Sequence, residues 1–159
     1  MLDMANQKNL QVYEKYNFSG AKIKGLYCDG NIALNRNIQT ESEKKCILAE
    51  EIGHFETSCG DITDQNNVSN RKQELRAREW AYATIIPLSN LIKAYKNGCR
   101  NRYEIAEYLD VTEEFLQEAI EYYKSQYGVF HTVGKYIIYF EPLGVMKLLW
   151  SNSNQNKKF

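Results

Sequence analysis

Residues 40–58, TESEKKCILAEEIGHFETS, constrain this chain more than any other stretch. Thr40-Glu41-Ser42-Glu43 is a capping-box pattern, in which Thr40 caps the first amides of a helix and Glu43 reaches back. The helix is expected to run to Gly60, a residue suited to a C-terminal cap. On a wheel at about 100° per residue, Cys46, Ile47, Leu48, Ala49, Ile52, Gly53 and Phe55 leave no clean polar side. A helix apolar almost all round is expected to be buried. Its middle nevertheless carries Glu50, Glu51 and His54. Glu50 and His54 are four apart and share a face, and Glu51 sits one step round from Glu50. Two carboxylates and an imidazole in one sector of a buried helix are costly unless positive charge compensates them.

A divalent metal ion is the economical compensation. The spacing is that of an HExxH helix, with ligands at i and i+4 and a glutamate at i+1 acting on metal-bound water. Here the first ligand position is Glu50, so the motif is EExxH. Carboxylate oxygen binds zinc at about the distance imidazole nitrogen does. An anionic ligand lowers the net positive charge that acidifies the bound water, and the harder ligand set admits Mn or Fe more readily. Short motifs also arise by chance, and Glu/His pairs at this spacing are common on exposed helices. What separates this one from a solvated face is the apolar character of the positions around it.

A third ligand is expected from the next helix, which reads from about Ser69 and breaks at Pro87. Glu74 is the best candidate, because Ala77, Ala81 and Ile85 lie three, seven and eleven residues on, along the same side of the wheel. That stripe of small residues lets two helices approach closely with a carboxylate at the seam. Glu79 falls on a different face, and Asp61 and Asp64 lie in the intervening loop; they are weaker rivals.

Elsewhere, residues 22–27 (KIKGLY) and 31–35 (NIALN) flank Cys28-Asp29-Gly30, and Asp-Gly between two such runs signals a hairpin. Residues 135–140 (KYIIYF) form a third strand candidate. Shorter helices are expected at 89–97, 103–109 and 112–127. With 159 residues, 43% apolar and 25% charged, the chain suits one domain over residues 1–150, followed by a polar tail at 151–159 (SNSNQNKKF) expected to be disordered. Twenty basic and twenty acidic residues balance, which argues against holding nucleic acid or anionic lipid by bulk charge. No apolar run approaches a membrane span, and MLDMANQKNL lacks the layout of a secretory signal, so the cytoplasm is the expected compartment. Cys28, Cys46, Cys59 and Cys99 show no CxxC pair and do not suggest a disulfide framework; Cys59 reads as a structural thiol.

Helices 103–109 and 112–127 have the spacing of a helix-turn-helix, but residues 103–128 carry seven acids (Glu104, Glu107, Asp110, Glu113, Glu114, Glu118 and Glu121) against Lys124 alone. A recognition helix set against phosphates should be basic, so direct DNA contact is excluded. The expected form is a helical hairpin packed through Ile105, Leu109, Phe115 and Ile120; a docking surface for a basic partner is the sharper alternative. His131, among Val129, Phe130 and Thr132, reads as a partly buried polar residue rather than a member of the site.

Taken together, LAEEIGH at 48–54, GDI at 60–62 and ELRAREWA at 74–81 with Pro87 resemble the ImmA/IrrE family of small bacterial and prophage metallopeptidases. KGLYCDGNIALN upstream and EYLDVTEEFLQEAIEYY downstream are similar to the same family, so the resemblance covers roughly residues 22–140. It implies a compact α+β, zincin-like domain with a small sheet beside the metal-bearing helix and a C-terminal helical hairpin. It implies a cytoplasmic zinc-dependent endopeptidase whose partner is a helix-turn-helix repressor of a mobile element. By position, the metal ligands would be Glu50, His54 and Glu74, with Glu51 as general base; the family pattern has His where this chain has Glu50. The metal would polarise the scissile carbonyl and a water whose proton Glu51 takes. Strand 31–35 is expected to present a sheet edge to an extended substrate. The alternative is a protein with a degenerate metal site that acts as an anti-repressor or toxin-like partner by contact alone.

Overall fold

A turn with two left-handed residues in succession begins the architecture: Asp29 and Gly30 have φ of 44° and 78°, the combination a tight two-residue hairpin demands. They join β2 (Gly25–Cys28) to β3 (Asn31–Asn35), which pair antiparallel with Tyr27 opposite Ile32. The computed structural model describes residues 1–19, 22–57 and 68–149. Before the hairpin come α1 (Leu2–Gln7) and β1 (Gln11–Tyr16). β1 adds to the sheet on the far side of β3, in parallel, with Val12 opposite Ile32. The strand order is therefore β1-β3-β2. This corrects one expectation: strand 31–35 is the centre of its sheet. Among the described residues, its edges are β1 and β2.

Helix α2 (Glu41–Thr57) starts as the capping pattern requires. The Glu43 amide donates to Thr40 Oγ1 at 3.1 Å, while Glu43 Oε2 reaches back to the amide of Gln39 at 3.3 Å, one residue earlier than in the standard box. The expected stop at Gly60 lies outside the described residues. Helix α3 (Val68–Ile85) ends before Pro87, which stands at the N-cap of α4 (Leu88–Lys96). The Ile86 carbonyl accepts from the buried Tyr123 hydroxyl at 2.8 Å. Asn101 caps α5 (Arg102–Leu109), and Thr112 caps α6 (Glu113–Tyr127) through the Phe115 amide at 3.1 Å. Ile105, Leu109, Phe115 and Ile120 are buried, so α5 and α6 form the expected packed hairpin.

That hairpin is followed by a second sheet, antiparallel throughout, of β4 (Phe130–Val133), β5 (Tyr136–Phe140) and β6 (Leu143–Lys147). Only β5 matches an expected strand. Ile138 and Phe140 turn inward, and the Phe140 ring stacks on Tyr123 with centroids 6.0 Å apart.

Among the described residues, two hydrophobic cores result, and α2 divides them. Ile47, Leu48 and Ile52 face sheet β1-β3-β2 together with Ile32, Leu34, Ala5 and Leu10. Cys46 and Ala49 face α3 through α6, with Ala81, Ile86, Leu116 and Ile138. Residues 46–49 and 51–54 are all buried, as an apolar wheel without a polar side requires. Among the described residues, no helix is long and apolar enough to cross a membrane.

Candidate metal centre and catalytic carboxylate

Close approach of α2 and α3 makes the site, and two small residues make the approach. A Cβ on Gly53 would stand 2.3 Å from the carbonyl oxygen of Ala77. Real carbon–oxygen contacts are more than an ångström longer, so only glycine fits at this crossing. Ala77 and Ala81 are fully buried along the facing stripe of α3. One residue past Gly53, His54 Nε2 lies 3.2 Å from Glu74 Oε2. The two helices are thus bridged by an imidazole and a carboxylate at their tightest point.

Glu74 is held at both ends. Its other oxygen, Oε1, accepts from Arg78 Nε at 3.1 Å, one turn along α3. The His54 hydrogen bond, working against burial, keeps the Glu74 carboxyl below the ordinary carboxylate range, and the Arg78 charge adds to this. His54 is shifted upward: burial acts against its charged form, but the bond to Glu74 and the charges of Glu51, Glu74 and Glu50 outweigh it. Arg78 also faces Glu50 and Glu118. Glu118, on α6, accepts from the Tyr82 hydroxyl at 2.7 Å, and burial together with that bond raises the Tyr82 pKa.

Glu50 stands one turn before His54 on the same face of α2. Burial pushes its carboxyl up to about 7, against the favourable field of Arg78, while Glu118 and Glu74 push the same way as burial. Glu51 lies on the other flank of α2, beneath β2. Burial pushes it, too, to about 7, partly offset by His54. Its carboxylate rests against the β2 backbone: a Cβ built on Gly25 would meet Glu51 Oε1 at 2.5 Å. The amide of Tyr27 is near enough to favour the charged form of the same carboxylate. That amide is available because of register. Asn35 bonds back to the Lys24 carbonyl at 2.8 Å, so Lys24, Leu26 and Cys28 point their backbone groups at β3. Gly25 and Tyr27 point theirs outward, to the edge of the sheet.

The structure therefore brings His54 and Glu74 into direct contact and sets Glu50 and Glu51 nearby, within one electrostatic cluster. Among the described residues, no group of three or more His, Cys, Asp or Glu side chains is gathered tightly enough to hold a metal ion. Glu50 does not close such a group with His54 and Glu74, one of whose oxygens is committed to Arg78. The donor chemistry still suits a divalent cation, since one imidazole and three partly or fully buried carboxylates belong to one electrostatic cluster, which the Arg78 guanidinium helps to balance. Of the rival ligands, Asp61 and Asp64 lie outside the described residues, as does Cys59. Glu79 acts on Tyr122 rather than on the His54 cluster. His131 sits on β4 with its ring 4.1 Å from that of Tyr127, in the second sheet.

Tyr82, Glu118 and Arg78 were not legible as part of this cluster. A signal existed for Glu118: it lies three residues after Phe115 and four before Tyr122, at the half-buried border of α6 rather than in the middle of its solvated face.

Comparison with known proteins places the chain in a family. The IrrE N-terminal-like domain (Peptidase_M78) matches residues 6–121. No curated protein and no solved structure matches the chain significantly. The matched region contains α2, α3, the β2–β3 hairpin and the start of α6, and so every residue of the cluster just described. The chain belongs to this ImmA/IrrE family of metal-dependent peptidases.

Proposed function

We propose that the protein is a zinc-type endopeptidase that cuts a regulatory protein in the cytoplasm, such as the helix-turn-helix repressor of a mobile element. The observation that carries this reading is a juxtaposition. A buried acid, Glu51, lies under the outward-facing edge of β2, and on the same helix His54 meets Glu74 across the seam with α3. An extended peptide added along β2 would run past Glu51, by the backbone pairing that sheet edges offer.

Glu50, His54 and Glu74 are the residues that would hold the ion. When bound, a divalent ion supplies Lewis acidity, polarising the scissile carbonyl and acidifying a water. Glu51 takes the water's proton and passes it to the leaving amine. Its low-dielectric surroundings suit that work, because a carboxyl held near neutrality both accepts and returns a proton. Arg78 ties down one Glu74 oxygen and leaves the other facing His54.

One observation favours a second reading. Glu50 replaces the expected histidine, and Arg78 already engages Glu74, which suits a protein that displaces a repressor by contact without cutting it. Elemental analysis of purified protein, with co-expression of candidate repressors, separates the two. A peptidase carries about one zinc, manganese or iron per chain, and Glu51→Gln keeps that metal while losing cleavage by about 10²-fold or more. Derepression that persists in Glu51→Gln with the repressor intact overturns the peptidase reading.

A further inference from the structure

The proposed general base needs a fixed position as well as a suitable environment, and the structure assigns that task to Gly25. We propose that Gly25 is a positioning residue for Glu51: the missing side chain at 25 is the seat in which the Glu51 carboxylate lies. The inference rests on the peptidase reading for its functional meaning, and on geometry alone for the contact.

Glycine in a strand is unfavourable, because it has the most conformational freedom to lose and no side chain to pack. At Gly30 the backbone requires it: φ is 78°, and a Cβ there would meet nothing within 4 Å. At Gly25 the reverse holds. Its φ lies outside the left-handed region, so the backbone would accept any residue. The obstacle is space. A Cβ would stand 2.5 Å from Glu51 Oε1, 2.9 Å from Glu51 Cγ and 2.6 Å from Ile47 Cγ2. Two of these three atoms belong to Glu51.

The seat has a second wall. Ile47, Glu51 and Phe55 form a row along α2 at four-residue spacing, and Gly25 and Tyr27 lie over that row on one face of β2. The Tyr27 ring meets Phe55 edge-on, with centroids 5.9 Å apart. The Tyr27 amide favours the charged form of Glu51. The glycine thus admits the carboxylate, and the amide two residues on faces it. Any side chain at 25 would push Glu51 off the Tyr27 amide and away from the sheet edge, and a displacement of about 1 Å in a reacting group costs on the order of 10²-fold in rate.

The test compares the wild type, Gly25→Ala, Glu51→Asp and the double variant. Aspartate is shorter by one carbon–carbon bond, about 1.5 Å, which makes room for a methyl group at 25. The first readout needs no substrate and no metal: the Tyr27 amide resonance in ¹⁵N-labelled, chelator-treated protein. Gly25→Ala is expected to move it as far as Glu51→Gln does, and to lower the melting temperature by several degrees although alanine is the better strand residue. In the Glu51→Asp background, the same Gly25→Ala change is expected to cost less than half of that melting shift. The second readout is cleavage in the co-expression assay. There Gly25→Ala is expected to lose about 10²-fold with metal content per chain unchanged.

A Tyr27 amide that ignores Gly25→Ala, or a melting loss that is the same with glutamate or aspartate at position 51, overturns the seat. If Gly25→Ala alone fails to fold, a folded double variant supports the seat and an unfolded one overturns it. If cleavage is absent even in the wild type while the Tyr27 signature follows the expected pattern, the peptidase reading fails and the contact stands.

Discussion

Gly53→Ala sets two energies of opposite sign against each other, and the structure decides which is larger. Gly53 lies inside α2, where alanine is favoured over glycine by about 1 kcal/mol of helix propensity. On propensity alone the variant should be more stable. The new Cβ, however, would arrive 2.3 Å from the Ala77 carbonyl oxygen and 3.0 Å from its carbonyl carbon. Ordinary contact is near 3.5 Å, so the helices must part by about 1 Å. Overpacking of this kind costs about 1–3 kcal/mol, and a helical backbone carbonyl cannot rotate aside as a side chain can. The upper part of that range applies, leaving a net loss of about 1–2 kcal/mol. For a domain of this size each kcal/mol is worth about 2–4 °C, so the chelated variant should melt about 2–8 °C below wild type by circular dichroism. Parting the helices also lengthens the 3.2 Å His54–Glu74 contact, so zinc affinity should fall in titration. Because the atom struck is backbone, adding Ala77→Gly should rescue nothing. A Gly53→Ala protein that melts at or above the wild-type temperature would refute the close crossing and, with it, the account of how His54 meets Glu74.

Other expectations follow from the same cluster. Saturating zinc cross-links α2 to α3 and should raise stability by about 2.7 kcal/mol at 100 times the dissociation constant; identical melting curves in zinc and in chelator would leave His54 and Glu74 as an ordinary ion pair. In chelator, stability should fall as pH rises from about 4.5 to 7, because buried Glu50 and Glu51 keep protons that the unfolded chain has released, a penalty of about 3 kcal/mol per carboxyl at the upper end. The raised His54 acts in the same direction, its contribution being lost as pH climbs through its folded value, whereas the lowered Glu74 matters only on acidification below the carboxylate range. Arg78 from α3 and Glu118 from α6 face this group, and Glu50→Gln should flatten the slope; a melting temperature that climbs through the window would contradict the burial argument. Tyr82→Phe should cost about 1–2 kcal/mol in denaturant melts, since it strips the 2.7 Å hydrogen bond from Glu118; a neutral result would mean that solvent already serves that carboxylate.

What the sequence disclosed was whatever depends on local periodicity. The α2 wheel, the Thr40 cap, the Asp29-Gly30 turn and the Pro87 break each act within a few residues, and each is found in place. The Ala77–Ala81–Ile85 stripe placed Glu74 on the seam for the same reason. The rest depended on pairing at a distance. β1 is almost wholly exposed and carries Lys15 at φ 63°, so it has no alternation to betray it, and its parallel union with β3 is what moved the sheet edge from β3 to β2. β4 is four residues long and β6 includes Gly144, too little signal to rank either as a strand. In the sequence Glu118 reads as one of the acidic run around it, because its partner, Tyr82, is 36 residues away.

Helix α2 belongs to both hydrophobic cores, and this sets the order in which the molecule comes apart. A fluctuation that frees α2 from the sheet exposes Ile47, Leu48 and Ile52; one that frees it from α3 uncovers Cys46 and Ala49. Either opening leaves the helix packed on its other side, with its backbone hydrogen bonds intact. The amide protons of residues 46–54 should therefore exchange with solvent only at the rate of global unfolding, while those of β4 and β6, at the edges of a sheet packed on one side, exchange by local opening. Two of the proposed ligands, Glu50 and His54, and the base Glu51 sit on this slow-exchanging segment, so their spacing along the helix persists for as long as the protein is folded.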